Sequence, residues 1–152
     1  MNEKTISVLE KLITVCKDEA ENFELAASEV KASLLQSLFR GYSLQRARFS
    51  RDLEAAAAAL GRSVPPDGAS GSAADEGTGL NTRQTLPRDE QTVLSVCERG
   101  EEAAVAAYTK ALEESELPPG VRTLLTAQAA EVKAAYKEVR DLLGRFVTTA
   151  AA

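Results

Sequence analysis

Residues 95–108, SVCERGEEAAVAAY, have a close counterpart earlier in the chain at residues 14–27, TVCKDEAENFELAA. Each stretch has a valine followed by a cysteine near its start, then carboxylates on one helical face with small and apolar residues on another. Apolar residues spaced by three and four are typical of an amphipathic helix. The repeated plan predicts two copies of one helix pair, with each stretch in the first helix of its pair.

The first pair is predicted at residues 3–31 and 34–60. The second helix ends at Gly61, because glycine readily takes the left-handed conformation found just past many helix ends. The inward line of the first helix is Ile6, Leu9, Ile13, Cys16, Ala20, Phe23, Ala27 and Val30. That of the second is Leu35, Leu38, Tyr42, Gln45, Phe49, Leu53, Ala56 and Leu60.

The second pair is predicted at residues 88–115 and 119–147. Its first helix begins after a proline, and Pro118 and Pro119 separate the two helices, because proline is favoured in a first turn and disrupts a helix interior. The inward line of the third helix is Leu94, Cys97, Glu101, Ala104, Tyr108 and Ala111. That of the fourth is Val121, Leu125, Gln128, Val132, Ala135, Val139, Leu142 and Phe146.

Residues 62–87 are rich in Gly, Pro, Ser and Asp and lack helical or strand periodicity, as is typical of a connector. About 27 extended residues at ~3.3 Å each reach well past a helix of ~40 Å, so the second and third helices can lie parallel. We therefore expect one domain over residues 1–152, an all-α antiparallel four-helix bundle of two helix pairs joined by a long crossover. A plain up-down-up-down bundle with a slack long loop is the alternative.

The composition excludes several classes of function. The chain has 152 residues, a net charge of -5 and no histidine. Without histidine there is no imidazole metal ligand and no histidine acid or base. The acidic balance argues against nucleic-acid binding, which needs a concentrated basic face. Two distant cysteines, no apolar targeting region and no long apolar run predict a cytoplasmic protein without a membrane span.

Polar residues at inward positions are the candidate site. A buried carboxylate needs a partner, a proton or a metal, because burying an unpaired charge costs several kcal/mol. Glu101 is such a residue. Either Arg48 or Gln45 satisfies it, or the helix is rotated enough for Glu101 to reach solvent. The predicted polar core layer consists of Gln45, Arg48, Glu101 and Gln128. Cys16 and Cys97 are expected in the core, while Arg46, Arg48 and Arg51 are also consistent with a salt-bridged outer face.

Metal binding is the competing interpretation of the same layer. A di-iron centre in a bundle takes one Glu from each of two helices and a Glu-x-x-His from each of the other two. At the matching places this chain has Gln45 with Arg48, and Glu131 with Ala134, so both histidines are missing. Oxygen-only binding of a hard cation remains as an alternative, with weak candidate ligands Glu21, Glu101, Glu102 and Glu131. No catalytic residue and no cofactor is predicted.

Four segments of the chain are distinctive: MNEKTISVLEKLITVCKD at 1–18, LLQSLFRGYSLQRARFSRDLE at 34–54, CERGEEAAVAAYTKALE at 97–113 and LPPGVRTLLTAQAAEVKAAYKEVRDL at 117–142. In these segments the chain resembles a bacterial family of ferritin-like four-helix-bundle proteins known as a domain of unknown function. The resemblance implies a ferritin-like bundle, cytoplasmic and stress-associated, with no established activity. Similar proteins tend to have a histidine in the fourth helix near the place of Tyr136, which further disfavours a metal site here.

We therefore expect a non-enzymatic ferritin-like bundle with a structural or interaction role. It would bind an unidentified protein partner or form a homodimer through helix faces widened by Leu12, Val96 or Leu124. The alternative function is a di-metal carboxylate protein, either an oxidase or a metal store, with an oxygen-only site. Metal content separates these two classes.

Overall fold

A computed structural model of the chain describes residues 2–62 and 89–151, with side chains through residue 145. The described residues form four α-helices and no strand. The helices are α1, Asn2–Glu29; α2, Ser33–Ala59; α3, Glu90–Leu112; and α4, Pro119–Ala151. The prediction of an all-α protein with four helices is therefore confirmed. Nearly all of the predicted connector at 62–87 lies outside the described residues.

The helix ends follow from local sequence. Asp89 precedes α3 and its side chain accepts a 2.7 Å hydrogen bond from the Thr92 amide, which lowers the pKa of Asp89. Gly61 has a φ of 102°, the left-handed conformation predicted for the end of α2. Arg122 in α4 donates to the Leu112 and Glu114 carbonyls at 3.1 and 2.5 Å, and so satisfies the end of α3.

The apolar core forms two groups that lie towards opposite ends of α1. Burial of apolar surface in both groups is the main source of stability. The first, called here the Leu12 group, is Leu9, Leu12, Ile13, Cys16, Phe49, Leu53, Ala57, Ala104, Tyr108, Ala111, Leu117, Val121, Leu125, Ala129 and Val132. The second, the Phe23 group, is Phe23, Ala26, Ala27, Val30, Leu35, Phe39, Val93, Leu94, Cys97 and Val139.

The inward face of α2 differs from the predicted one. The structure buries Phe39, Arg46 and Ala57, whereas the sequence analysis placed Leu38, Gln45 and Ala56 on the inward line. Those three residues are only half-buried. The prediction was therefore wrong by one residue at these three positions of α2, whereas Leu35, Phe49 and Leu53 are buried as predicted. In α3 the predicted inward residues are all buried.

Helix packing is uneven around the bundle. The closest packing is between α1 and α2 and between α3 and α4. The contact between α1 and α3 is less extensive, and α2 contacts α4 at only a few positions. The looser contact between α1 and α3 leaves a cleft that is described below. No helix in the described part of the chain is long and apolar enough to cross a membrane.

Candidate functional site

Three charged side chains from three helices meet in the centre of the bundle. They are Glu19 of α1, Arg46 of α2 and Glu101 of α3, and they are 6%, 1% and 0% exposed. We refer to them as the ion cluster. In α1, Glu19 lies between the residues that belong to the Leu12 group and those of the Phe23 group. The cluster therefore lies between the two parts of the apolar core.

The two terminal nitrogens of the Arg46 guanidinium bind the carboxyl groups of Glu101 and Glu19. Nη1 and Nη2 donate to the two oxygens of Glu101, with Nη2 at 2.7 Å from Oε2. Nη1 also donates to Glu19 Oε1 at 2.9 Å, and Nε donates to Gln45 Oε1 at 3.2 Å. The Phe23 ring lies under the guanidinium, with its centroid 5.5 Å from Cζ. Bidentate pairing of this kind needs the planar fork of arginine, which lysine lacks.

The charges of the ion cluster do not balance if both carboxylates are ionised. Burial, together with the hydrogen bond and negative charge of Glu101, raises the pKa of Glu19 to about 9, although Arg46 acts in the opposite direction. Burial is the largest single influence on the pKa of Arg46 and lowers it, but the hydrogen bond to Glu101 and the negative charges of Glu101 and Glu19 together outweigh burial and raise the pKa. At neutral pH Glu19 therefore keeps its proton and Arg46 keeps its positive charge.

A glycine in α3 makes room for the Glu19 carboxyl group. A Cβ added to Gly100 would lie 2.9 Å from Glu19 Oε2, which is closer than real Cβ atoms approach other atoms. Glu19 and Gly100 also line a cleft of about 420 Å³ between α1 and α3. The cleft gives the otherwise buried carboxyl group a route to the surface.

A second polar chain crosses the Leu12 group. Tyr108 donates to Gln128 Oε1 at 2.7 Å, and its hydroxyl lies 3.2 Å from the Cys16 sulfur. The Gln128 amide reaches the Phe49 carbonyl at 3.5 Å. Burial raises the pKa of Cys16 to about 11, so the thiol keeps its proton at neutral pH and is a poor nucleophile. Burial also raises the pKa of Tyr108.

The structure buries two of the four predicted members of the polar core layer. Glu101 and Gln128 are buried, whereas Gln45 is half-buried and contacts Arg46 and, at 3.4 Å, Glu131. Arg48 is exposed, so its assignment to the layer is wrong. Arg46 fills the role instead, and its assignment to the outer face is also wrong. Steps of four, three and four from Leu35 through Phe39 and Tyr42 to Arg46 were the available signal in the sequence.

The weak candidate metal ligands do not come together. Glu21, Glu102 and Glu131 are exposed, while Glu101 is occupied by Arg46. Within residues 2–62 and 89–151 no group of three Asp, Glu or Cys side chains has the arrangement of a metal site. Leu12 is buried and cannot widen an outer face, while Val96 and Leu124 are half-buried.

The ion cluster and its helices fall within a known sequence family. The model of the family described as Domain of unknown function (DUF2383) matches residues 4–114, which include all three residues of the ion cluster. The chain belongs to this family. The DUF2383 match ends before α4, and the predicted resemblance at 117–142 lies outside it. A search of the curated proteins finds no match to this chain.

Proposed function

We propose that this DUF2383 protein is a ferritin-like four-helix bundle with a non-enzymatic, structural or interaction role. The observation that carries the proposal is the position of Arg46 between two buried carboxylates from α1 and α3. Ferritin-like metal proteins hold their ions between inward carboxylates of this kind. Here a side chain of the protein supplies the cation. Its bacterial, cytoplasmic and stress-associated character rests on the family resemblance alone.

Contacts along the helices support an antiparallel bundle. Residue numbers rise along α1 as they fall along α2. Lys17 of α1 pairs with Glu54 of α2, and further along α1 the Ala20 carbonyl accepts a hydrogen bond from Ser43 of α2. The numbers fall in the same way between α1 and α3, because Cys16 contacts Tyr108 and Glu19 lies against Gly100. Under this arrangement α2 and α3 run parallel.

The ends of the helices support a long crossover between the two pairs. At the end of α2, Arg62 pairs with Glu10 at 3.3 Å, near the beginning of α1. At the beginning of α3, Glu90 accepts from the amides of Lys31 and Ala32 at 2.9 Å, next to the beginning of α2. These contacts support a connection between the two pairs that joins opposite ends of the bundle. This is the connection that the ferritin-like topology requires.

Metal analysis tests the proposal against the di-metal alternative. The protein is purified without chelators from cells grown with iron and manganese, and its metal content is measured by mass spectrometry. We expect far less than one ion per chain, because Arg46 already neutralises Glu101 and no histidine is present. Two tightly bound ions per chain would overturn the proposal. An Arg46→Ala variant, analysed in parallel, reports whether the vacated space takes up metal.

The interaction role is supported by apolar side chains on the outer surface of α2. Leu34 and Leu44 are 76% and 68% exposed, which makes them the largest apolar side chains on the described surface that lack cover. A homodimer that covers them should show twice the chain mass in sedimentation equilibrium and become monomeric in a Leu34→Lys, Leu44→Lys variant. A monomer at all concentrations would restrict the role to binding a different protein.

A further inference from the structure

The cleft between α1 and α3 has one polar end and one apolar end. Its lining residues lie at steps of three and four on both helices, so each helix contributes one continuous face. Glu19 and Gly100 form the polar end, and Ala26, Val93 and Val96 form the apolar end with Phe23 between them. A volume of about 420 Å³ lies within the range of small-molecule sites.

The polar end has an excess of potential negative charge. Glu19 and Glu101 share a single guanidinium, and the bidentate pairing assigns that guanidinium mainly to Glu101. Glu19 is only 6% exposed. One of its carboxyl oxygens, Oε2, lies next to Gly100 at the edge of the cleft. A second cation that entered the cleft would give each carboxylate its own positive charge.

We propose that the α1–α3 cleft binds a small amphiphilic primary amine, with its ammonium group on Glu19 and its alkyl chain against Phe23, Ala26, Val93 and Val96. The ammonium group takes the place of the proton that Glu19 carries, and this proton is released to solvent. Atoms and charge balance, because one cation enters for each proton that leaves. The alkyl chain gains by leaving water for the apolar end of the cleft.

Other ligands fit the cleft less well. A hard metal ion takes six or more oxygen ligands, and beside Glu19 the cleft lining offers only the side-chain oxygen of Asn22. A carboxylate head on Glu19 would gain no new ion pair, because Arg46 already pairs with Glu101 and Glu19. The charged groups that face Glu19 are Arg46 of α2 with Glu101 and Arg99 of α3, and Cys16 lies one turn away on its own helix.

Arg99 can be used to test whether the ligand of the cleft is a cation or an anion. It lines the cleft and is exposed, so its charge opposes an ammonium ligand and attracts a carboxylate ligand. An Arg99→Ala variant should therefore bind an alkylamine more tightly. If the ligand were an anion, the same change would weaken binding.

The experiment is calorimetric titration of the full chain with hexylamine, hexanoate and hexanol. We expect saturable binding of hexylamine at millimolar concentrations or below, and at least tenfold weaker binding of the other two. Titration in buffers of different ionisation enthalpy should show about one proton released at pH 7, and the dissociation constant should fall about tenfold per pH unit from pH 6 to 8. Butylamine should bind several-fold more weakly for each methylene lost.

Two variants with a matched control locate the site. Glu19→Gln keeps the shape of the side chain and should lower hexylamine affinity at least tenfold, with loss of the proton release. Val96→Phe should fill the apolar end and lower affinity by a similar factor while the proton release per bound amine is kept. Glu21→Gln, an exposed glutamate on the same helix, should change neither.

Three outcomes would overturn the proposal. They are no saturable hexylamine binding at millimolar concentrations, equal binding by hexanoate, or binding that survives both Glu19→Gln and Val96→Phe. If Glu19→Gln fails to fold, the proposal is still tested by amine binding to Val96→Phe and by the pH dependence of amine binding to the unmodified chain. Metal content is a separate measurement, so failure of amine binding leaves the non-enzymatic role standing.

Discussion

Arg46 faces Glu101 and Glu19 in a part of the bundle where water cannot screen their charges. A buried ion pair of this kind contributes little net stability compared with apolar residues of the same volume, because both charges lose their hydration. Removal of one partner is different, since it leaves the other charge buried without compensation. The cluster therefore makes folding depend strongly on Arg46 while adding little to the free energy of unfolding.

An Arg46→Met variant should lose about 3 to 5 kcal/mol of unfolding free energy at pH 7, measured by urea denaturation. The matched control is Arg48→Met, two residues away on the same helix and exposed, which should change stability by less than about 0.5 kcal/mol. A combined Glu19→Leu, Arg46→Met, Glu101→Leu variant should recover most of the loss. Equal effects at Arg46 and Arg48 would contradict the buried position of Arg46.

The proton on Glu19 makes stability depend on pH. In the unfolded chain Glu19 has an ordinary pKa near 4.5, whereas in the folded protein its pKa is about 9. Between these values the folded state binds one more proton, so the unfolding free energy falls as pH rises, by at most ~1.4 kcal/mol per pH unit. The contribution is complete below the unfolded pKa and is lost as pH rises through about 9.

Urea denaturation between pH 6 and 9 measures this slope. A Glu19→Gln variant cannot bind the proton and should show a flatter dependence than the unmodified chain. Equal slopes in the two proteins would mean that Glu19 is ionised in the folded state.

At the scale of the helix, sequence periodicity predicted α3 well and α2 less well. The inward line of α3 places Glu101 in the core, and the structure buries it. In α2 the two neighbouring residues are alike at each of three inward positions, Leu38 with Phe39, Gln45 with Arg46 and Ala56 with Ala57, so two phases one residue apart have similar apolar content. Arginine is rarely buried without a partner, so the sequence of α2 by itself gives no reason to prefer the phase that buries Arg46. Glu19 and Glu101, on other helices, supply that partner.

Gly100 of α3 lies against the Glu19 carboxyl group of α1, where there is no room for a larger residue. Glycine within a helix usually costs up to ~1 kcal/mol relative to alanine, so replacing it normally stabilises. We expect Gly100→Ala to lower the unfolding free energy instead, because its Cβ would meet Glu19 Oε2 at 2.9 Å. Gly41→Ala in α2, where an added Cβ meets nothing within 4 Å, is the control and should stabilise.

A double variant separates the contact from any effect on the helix backbone. In a Glu19→Ala protein the obstacle is gone, so adding Gly100→Ala should stabilise as Gly41→Ala does. Stabilisation by Gly100→Ala in the unmodified chain, measured by thermal denaturation, would show that the Glu19 carboxyl group does not need the space.

At the scale of the whole molecule, the proposed crossover between the helix pairs is supported by which helix ends lie together. The end of α2 contacts the beginning of α1, and the beginning of α3 contacts the residues just before α2. These two places are separated by about the length of α2, which is ~40 Å for its 27 residues. The cleft between α1 and α3 was not predictable in the same way, since it depends on how closely two helices pack and not on periodicity.

Replacing residues 63–85 with a four-residue turn tests the crossover. A short link of this kind spans less than ~30 Å even with the few residues left before α3, so it cannot join the two helix ends within one bundle. We expect either a large loss of thermal stability or a dimer in which two chains exchange helix pairs, detected by calorimetry and light scattering. A monomer with an unchanged melting temperature would favour the plain up-down-up-down bundle, because only adjacent helix ends can be joined by so short a turn.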